Sequence, residues 1–227
     1  MQNDSTPTDA STDASTDAPI DIPAGTRADL IAAGLYLFGH DGFAATSTRA
    51  LAARAGTNLA SIAYHFGSKE GLRMACADEV LRRVSMVTGP AVTPPQLTPD
   101  QARQRLEAML RAMVGFLMQA PQAADIVGFI LREMAEDGPA LAQIYERFFL
   151  HKHREICQLI AMATGRDAES EDTRLLAFSL LGQAVYFRIG QPVICRRMAW
   201  PQYGQAEGRA IADRLAANLH AILRAEP

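Results

Sequence analysis

From residue 28 onward apolar side chains recur every three or four positions, and no convincing strand pattern interrupts them. Leu30, Ile31, Gly34, Leu35 and Phe38 predict a first helix over about 28–40, which Asp41-Gly42 ends; Phe43 then returns onto the core. Two short helical patterns follow. Ser47 caps the first, whose Leu51 and Ala52 face inward, and Gly56 supplies the open backbone of a tight turn. Asn58 caps the second, where Ile62 and Phe66 stand at i, i+4 and leave the opposite side free. Ser68 opens a fourth helix that runs through Leu72, Cys76, Val80 and Val84 to about Val87. Two short capped helices around Gly56-Thr57-Asn58 have the form of a helix-turn-helix.

Pro90, Pro94, Pro95 and Pro99 prevent any helix from crossing the next segment, so residues 88–99 are expected to be a linker between two domains. Thr98-Pro99-Asp100-Gln101 reads as a capping box with proline at the first helical position, and it opens a helix carrying Leu106, Met109, Leu110, Met113, Val114 and Leu117. Further helices are predicted over about 122–136, 139–164, 171–189 and 206–223, the last two joined by a loop containing Pro192 and Pro201. The expected fold class is all-α, with a three-helix helix-turn-helix domain over 26–87 and a helical bundle over 100–227.

Composition divides the chain differently from periodicity. In the first 25 residues Asp4, Asp9, Asp13, Asp17 and Asp21 are the only charged side chains, and Thr-Asp-Ala-Ser recurs every four residues, which predicts a disordered acidic tail. The formal net charge is −3, and without those five aspartates it becomes +2. The excess of Lys and Arg lies within 26–87, although so small a bias would not by itself argue for nucleic acid. A core of ordinary size is expected, since 48% of the 227 residues are hydrophobic. No Lys/Arg-led apolar segment opens the chain, and the longest near-apolar run, 175–187, is too short to span a bilayer; a cytoplasmic protein with no membrane partner is expected.

The free side of the second short helix carries Leu59, Ala60, Ser61, Tyr64 and His65. Small residues at its leading end would let it enter a major groove roughly 12 Å wide, with hydrogen-bonding aromatics behind. Arg27, the helix start Ser47-Thr48-Arg49, the cap Asn58 and Lys69 complete the expected contacts with double-stranded DNA, Lys69 by way of phosphate beside the Ser68 cap. The composite Ala52-Ala53-Arg54-Ala55-Gly56, then Ser61-Ile62, Tyr64-His65-Phe66 and Ser68-Lys69-Glu70, resembles the DNA-binding domain of TetR-type transcriptional regulators over about residues 27–85.

The second region also bears a resemblance. Arg132-Glu133-Met134, Leu175 to Gln183, Arg188 and Pro192-Val193 are similar to the C-terminal domain of the CecR (or CerR) subgroup of that family. The resemblance implies a homodimer whose helical domain binds a small-molecule effector, and usually a repressor. An apolar or amphipathic effector is expected among Met109, Met113, Phe116, Phe129, Phe148, Phe178 and Gln183, although the same stripes also read as plain core. The dimer surface is expected on the last two helices, through Phe178, Leu181, Val185, Ile211, Leu215 and Leu219.

Neither a cofactor nor catalysis is expected, because no G-x-S-x-G, P-loop, H-E-x-x-H or G-x-G-x-x-G occurs. Three cysteines without C-x-x-C spacing argue against a disulfide framework or a cysteine zinc site. His153 and Cys157 share a helical face but lack an obvious third metal ligand. A different class of reading remains: a redox or metal sensor signalling through Cys157 or Cys76.

Overall fold

The structure is a computed structural model describing residues 25–90 and 92–224, so the acidic tail predicted for 1–25 lies outside the described residues but for Gly25. The first four helices are α1 (Thr26–His40), α2 (Thr48–Arg54), α3 (Ala60–Phe66) and α4 (Lys69–Thr88). The last three begin where capping chemistry allows. Ser47 Oγ accepts from the Ala50 amide, Asn58 Oδ1 from Ser61 and Ser68 Oγ from Gly71, each at 3.0–3.1 Å. Gly56 holds φ at 62°, which lets the chain reverse between α2 and α3. Leu30, Phe38, Leu51, Ile62 and Leu72 are buried together beneath the two short helices.

The remaining helices are α5 (Pro99–Gln119), α6 (Ala123–Glu136), α7 (Pro139–Ile144), α8 (Leu150–Thr164), α9 (Glu171–Ile189), α10 (Gln191–Met198) and α11 (Gln205–Arg224). The capping box at the start of α5 is complete, with Gln101 N donating to Thr98 Oγ1 and Thr98 N to Gln101 Oε1. No strand occurs among the described residues.

Three features of this half depart from expectation. The helix predicted over 139–164 contains a π turn at Tyr145–Phe149 between α7 and α8. Its extra residue rotates the apolar stripe, so Phe148 packs with the α1–α4 core while Ile156 and Leu159 pack with the other. The predicted loop after α9 holds the helix α10 instead, because Pro192 falls in the first turn, where a missing amide costs nothing. The stripe on α11 is inside the subunit: Ile211, Leu215 and Leu219 are only 2–3% exposed in a core shared with α5, so they are corrected from dimer surface to core.

The proline segment is where the chain turns, but the hydrophobic cores divide elsewhere. Ile126 and Phe129 of α6, Ala140 and Ile144 of α7 and Phe148 belong to the cluster formed by α1–α4. Helices α1 and α6 approach so closely at Gly39 and Gly128 that a Cβ on Gly39 would lie 2.8 Å from the Phe129 amide nitrogen. Phe129 is fully buried there, so its assignment to an effector pocket is corrected: it fills the joint between the two halves. Helix α4 crosses this joint. Its 20 residues span about 30 Å from the end of the helix-turn-helix into the second half.

Candidate functional site

Helix α3 presents the face that periodicity predicted. Ile62 is buried, whereas Tyr64 is 85% exposed and Leu59 50%, with Ala60 also exposed. The Tyr64 and His65 rings meet edge to face at 4.9 Å, which stiffens the pair without burying it. Ser61 is half-buried and accepts or donates locally with Thr57 and Asn58, so its hydroxyl serves the turn as well as the helix surface. Arg27 and Arg49 are exposed at the starts of α1 and α2, with the Arg27 guanidinium 5.3 Å from the Phe66 ring centre. Ser47 is exposed and Thr48 half-buried at the same α2 start.

Lys69 departs from expectation. Its ammonium donates to the Phe43 carbonyl and lies 4.2 Å from the Phe43 ring centre, so within the subunit it is engaged with the chain between α1 and α2. Beside it, hydrogen bonds from its own backbone amide and from Ser68 hold the Glu70 carboxyl below the usual carboxylate range. A carboxylate there makes the first turn of α4 less hospitable to an anion.

A cavity of about 990 Å³ lies between the far part of α4 and helices α5 to α9. Val80, Leu81 and Val84 of α4 form one wall, and Met109, Met113, Phe116, Phe148 and Phe178 lie on the others, where an effector was expected. Gln183 does not line it; its side-chain oxygen accepts from Asn218 across α9 and α11, so it is corrected from pocket to inter-helix tie. Leu181 and Val185 are half-buried on the cavity wall, not free on an outer face. A smaller depression of about 550 Å³ beside Asp78, Arg82 and Arg147 is walled chiefly by charged groups and offers no apolar enclosure.

The triplet Arg132-Glu133-Met134 joins this cavity to the helix-turn-helix. Met134 lines the cavity, the Glu133 carboxylate takes the Arg73 Nε of α4 at 2.7 Å, and Arg132 donates to the His40 carbonyl at the end of α1. Both Arg73 and Glu133 are buried, and Arg73 also stacks 4.4 Å from the Phe43 ring centre. Farther along α4, Asp78 accepts from Gln143 and pairs with Arg147. Sequence reasoning missed these ties, because nothing in the chain indicated which carboxylate residue 73 would meet.

Burial pushes the thiols of Cys76 and Cys157 above the usual cysteine range, Cys76 with added repulsion from Glu133 and Glu79. That is opposite to the thiolate a redox sensor requires. Cys157 Sγ lies 3.6 Å from His153 Nδ1, but no group of three metal-ligating side chains occurs among the described residues. No single helix among them is long and apolar enough to cross a membrane.

An exposed apolar stripe runs down α9, where Phe178 and Gly182 also border the cavity, and continues on α10. Leu175, Phe178, Tyr186, Ile189, Val193 and Met198 are all at least half exposed. Gly182 lies on the same stripe at the edge of the cavity, with nothing within 4 Å of where its Cβ would be.

Comparison with known proteins yields matches to both halves. Residues 30–76 match the model for bacterial regulatory proteins of the tetR family, and residues 102–226 match that for the C-terminal domain of the HTH-type transcriptional dual regulator CecR. The chain is 34% identical over 208 residues to the HTH-type transcriptional dual regulator CecR of Shigella flexneri, across 87% of this chain and 91% of that protein. In fold it is similar to a TetR-like transcriptional regulator from Rhodococcus sp. RHA1, with a TM-score of 0.64 at 20% identity over 88% of this chain and 97% of that one. It is also similar to AibR solved in complex with isovaleryl coenzyme A and operator DNA, with a TM-score of 0.61 at 19% identity over 86% and 97% of the two chains.

Proposed function

The chain belongs to the TetR family of bacterial regulatory proteins, in the branch with a CecR-type C-terminal domain, and we propose that it is a dimeric repressor released from its operator by an apolar or amphipathic effector. The observation that carries this reading is the position of α4. Only two residues separate it from the helix that presents Tyr64 and His65, and its far part forms a wall of the cavity. Anything that changes the shape of that wall acts on the helix that carries the DNA-reading unit.

A single α3 reads too few base pairs for genomic specificity, so a two-fold pair of these helices is expected over a near-palindrome, with half-sites about 34 to 36 Å apart or a multiple of that. The stripe from Leu175 to Met198 on α9 and α10 supplies a surface for that pairing, since α11 is occupied within the subunit. Leu181 and Val185 then support the interface from behind, on the cavity wall. AibR, which shares the fold, was solved with both operator DNA and isovaleryl coenzyme A, which supports a reading in which this chain also takes both kinds of partner.

The test is to footprint the full chain on the DNA flanking its own gene and then titrate apolar and amphipathic compounds for release. A protected near-palindrome is expected. By linkage, operator DNA should lower the affinity of a releasing compound by the same factor that the compound lowers operator affinity. Equal affinity of that compound for the free and operator-bound protein would contradict the mechanism.

A further inference from the structure

We propose that Lys152 is the anion-reading residue of the cavity, and that the effector is an apolar chain bearing one negatively charged head, which draws Lys152 away from the end of α4. This rests on reading the cavity as the effector site.

Lys152 lines the cavity and is only 5% exposed. A lysine so buried requires partners, and its Nζ has four: Glu155 Oε2 at 2.7 Å and the carbonyls of Thr88, Gly89 and Pro90 at 3.2–3.3 Å. Those three carbonyls lie at and just beyond the C-terminus of α4, where the helix concentrates partial negative charge. Lys152 is therefore the cap of α4, supplied from α8.

Charge is not balanced around it. The carboxylate of Glu155, itself buried, is shared with Arg105 of α5, whose Nη2 lies 3.1 Å from Oε1. Two cations thus face one carboxylate, Lys152 from a buried position and Arg105 from a side chain 45% exposed and partly screened by water, and the carbonyls contribute only dipoles. His153, the neighbouring polar lining residue, is turned toward α9 and bonds the Arg174 carbonyl. Asp137, the one carboxylate on the cavity lining, is exposed, so water screens it. An anion entering the cavity would therefore be drawn to Lys152.

A carboxylate makes shorter, stronger hydrogen bonds to an ammonium than a peptide carbonyl does. On ligand arrival the ammonium exchanges carbonyl partners for the ligand head, and the last turn of α4 loses its cap. The aliphatic remainder of the ligand lies against Met109, Phe149 and Ile156 on the lining. Recognition and release are then coupled through one side chain.

The test uses the full chain and three probes of equal chain length: decanoate, decanol and decyltrimethylammonium. Decanoate should bind at least ten-fold more tightly than decanol, the cation should not bind, and decanoate should release operator DNA. Lys152→Gln should reduce decanoate affinity to that of decanol, whereas Lys152→Arg should keep the preference. Because Lys152→Gln leaves Glu155 with one partner fewer, Lys152→Gln/Glu155→Gln is measured beside it, with thermal melting to confirm folding. Equal binding of decanoate and decanol to the unaltered protein overturns the proposal; if both release operator, the effector cavity survives and only the anion-reading role of Lys152 fails. Retained preference in folded Lys152→Gln, or no probe binding to protein that still holds its operator, overturns it as well.

Discussion

Tyr186→Asp combined with Val193→Asp is expected to give a folded monomer whose operator affinity is lower by on the order of 10²- to 10⁴-fold. Both side chains are more than half exposed on the α9–α10 stripe, and neither lines the cavity, so the charges should not disturb the subunit's interior. Two aspartates facing their symmetry mates would be desolvated without partners, which is the costliest change an isologous apolar surface can suffer. The loss in affinity follows because the second α3 would no longer be tethered beside the first. Sedimentation in solution and operator titration check both parts, and a persistent dimer would move the interface elsewhere. Charges on Leu215 would not make the same test, because that side chain is in the core.

The largest loss of stability is expected at the joint between the halves. Glu133→Ala should destabilise the protein by about 3 to 5 kcal/mol, since it leaves the buried Arg73 guanidinium without its 2.7 Å partner. For a chain of this size the melting temperature should fall by on the order of 10 °C. Glu136, 3.5 Å from Arg73, is one-third exposed and offsets only part of the loss. Arg73→Met/Glu133→Leu should recover most of the stability while loosening the response of the DNA-reading half to the cavity, because an apolar pair packs but does not fix the orientation of α4. Thermal melting of the single and double variants decides this; a single variant within about 1 kcal/mol of the unaltered chain would show that the pair does not hold the joint.

What could be read from the chain was local. Ser47, Asn58, Ser68 and the Thr98-Gln101 box announce helix starts through side chains that satisfy amides three residues away, and the structure contains each of those bonds. The outward face of α3 followed from its buried Ile62 for the same reason. Features that depend on which elements meet were not legible. An apolar stripe does not state what covers it, so the sequence points the α11 stripe at a partner although α5 covers it, and Phe129 into a cavity although α1 covers it. Lys69 read as a free cation because its acceptor, the Phe43 carbonyl, is 26 residues earlier. Lys152 gave no signal at all: its acceptors at Thr88, Gly89 and Pro90 are more than 60 residues away, and a lysine on a helix ordinarily faces water.

The central claim is that α3 is the element that reads DNA, and it is tested most directly by the operator affinity of Tyr64→Ala/His65→Ala. Tyr64 is nearly fully exposed and neither side chain is part of the buried core, so the variant should melt like the unaltered chain. Each substitution should cost about 1 to 3 kcal/mol of specific binding, and the double variant should bind operator little better than unrelated DNA of the same length at the same salt concentration. A folded double variant with undiminished preference for the operator would contradict the account.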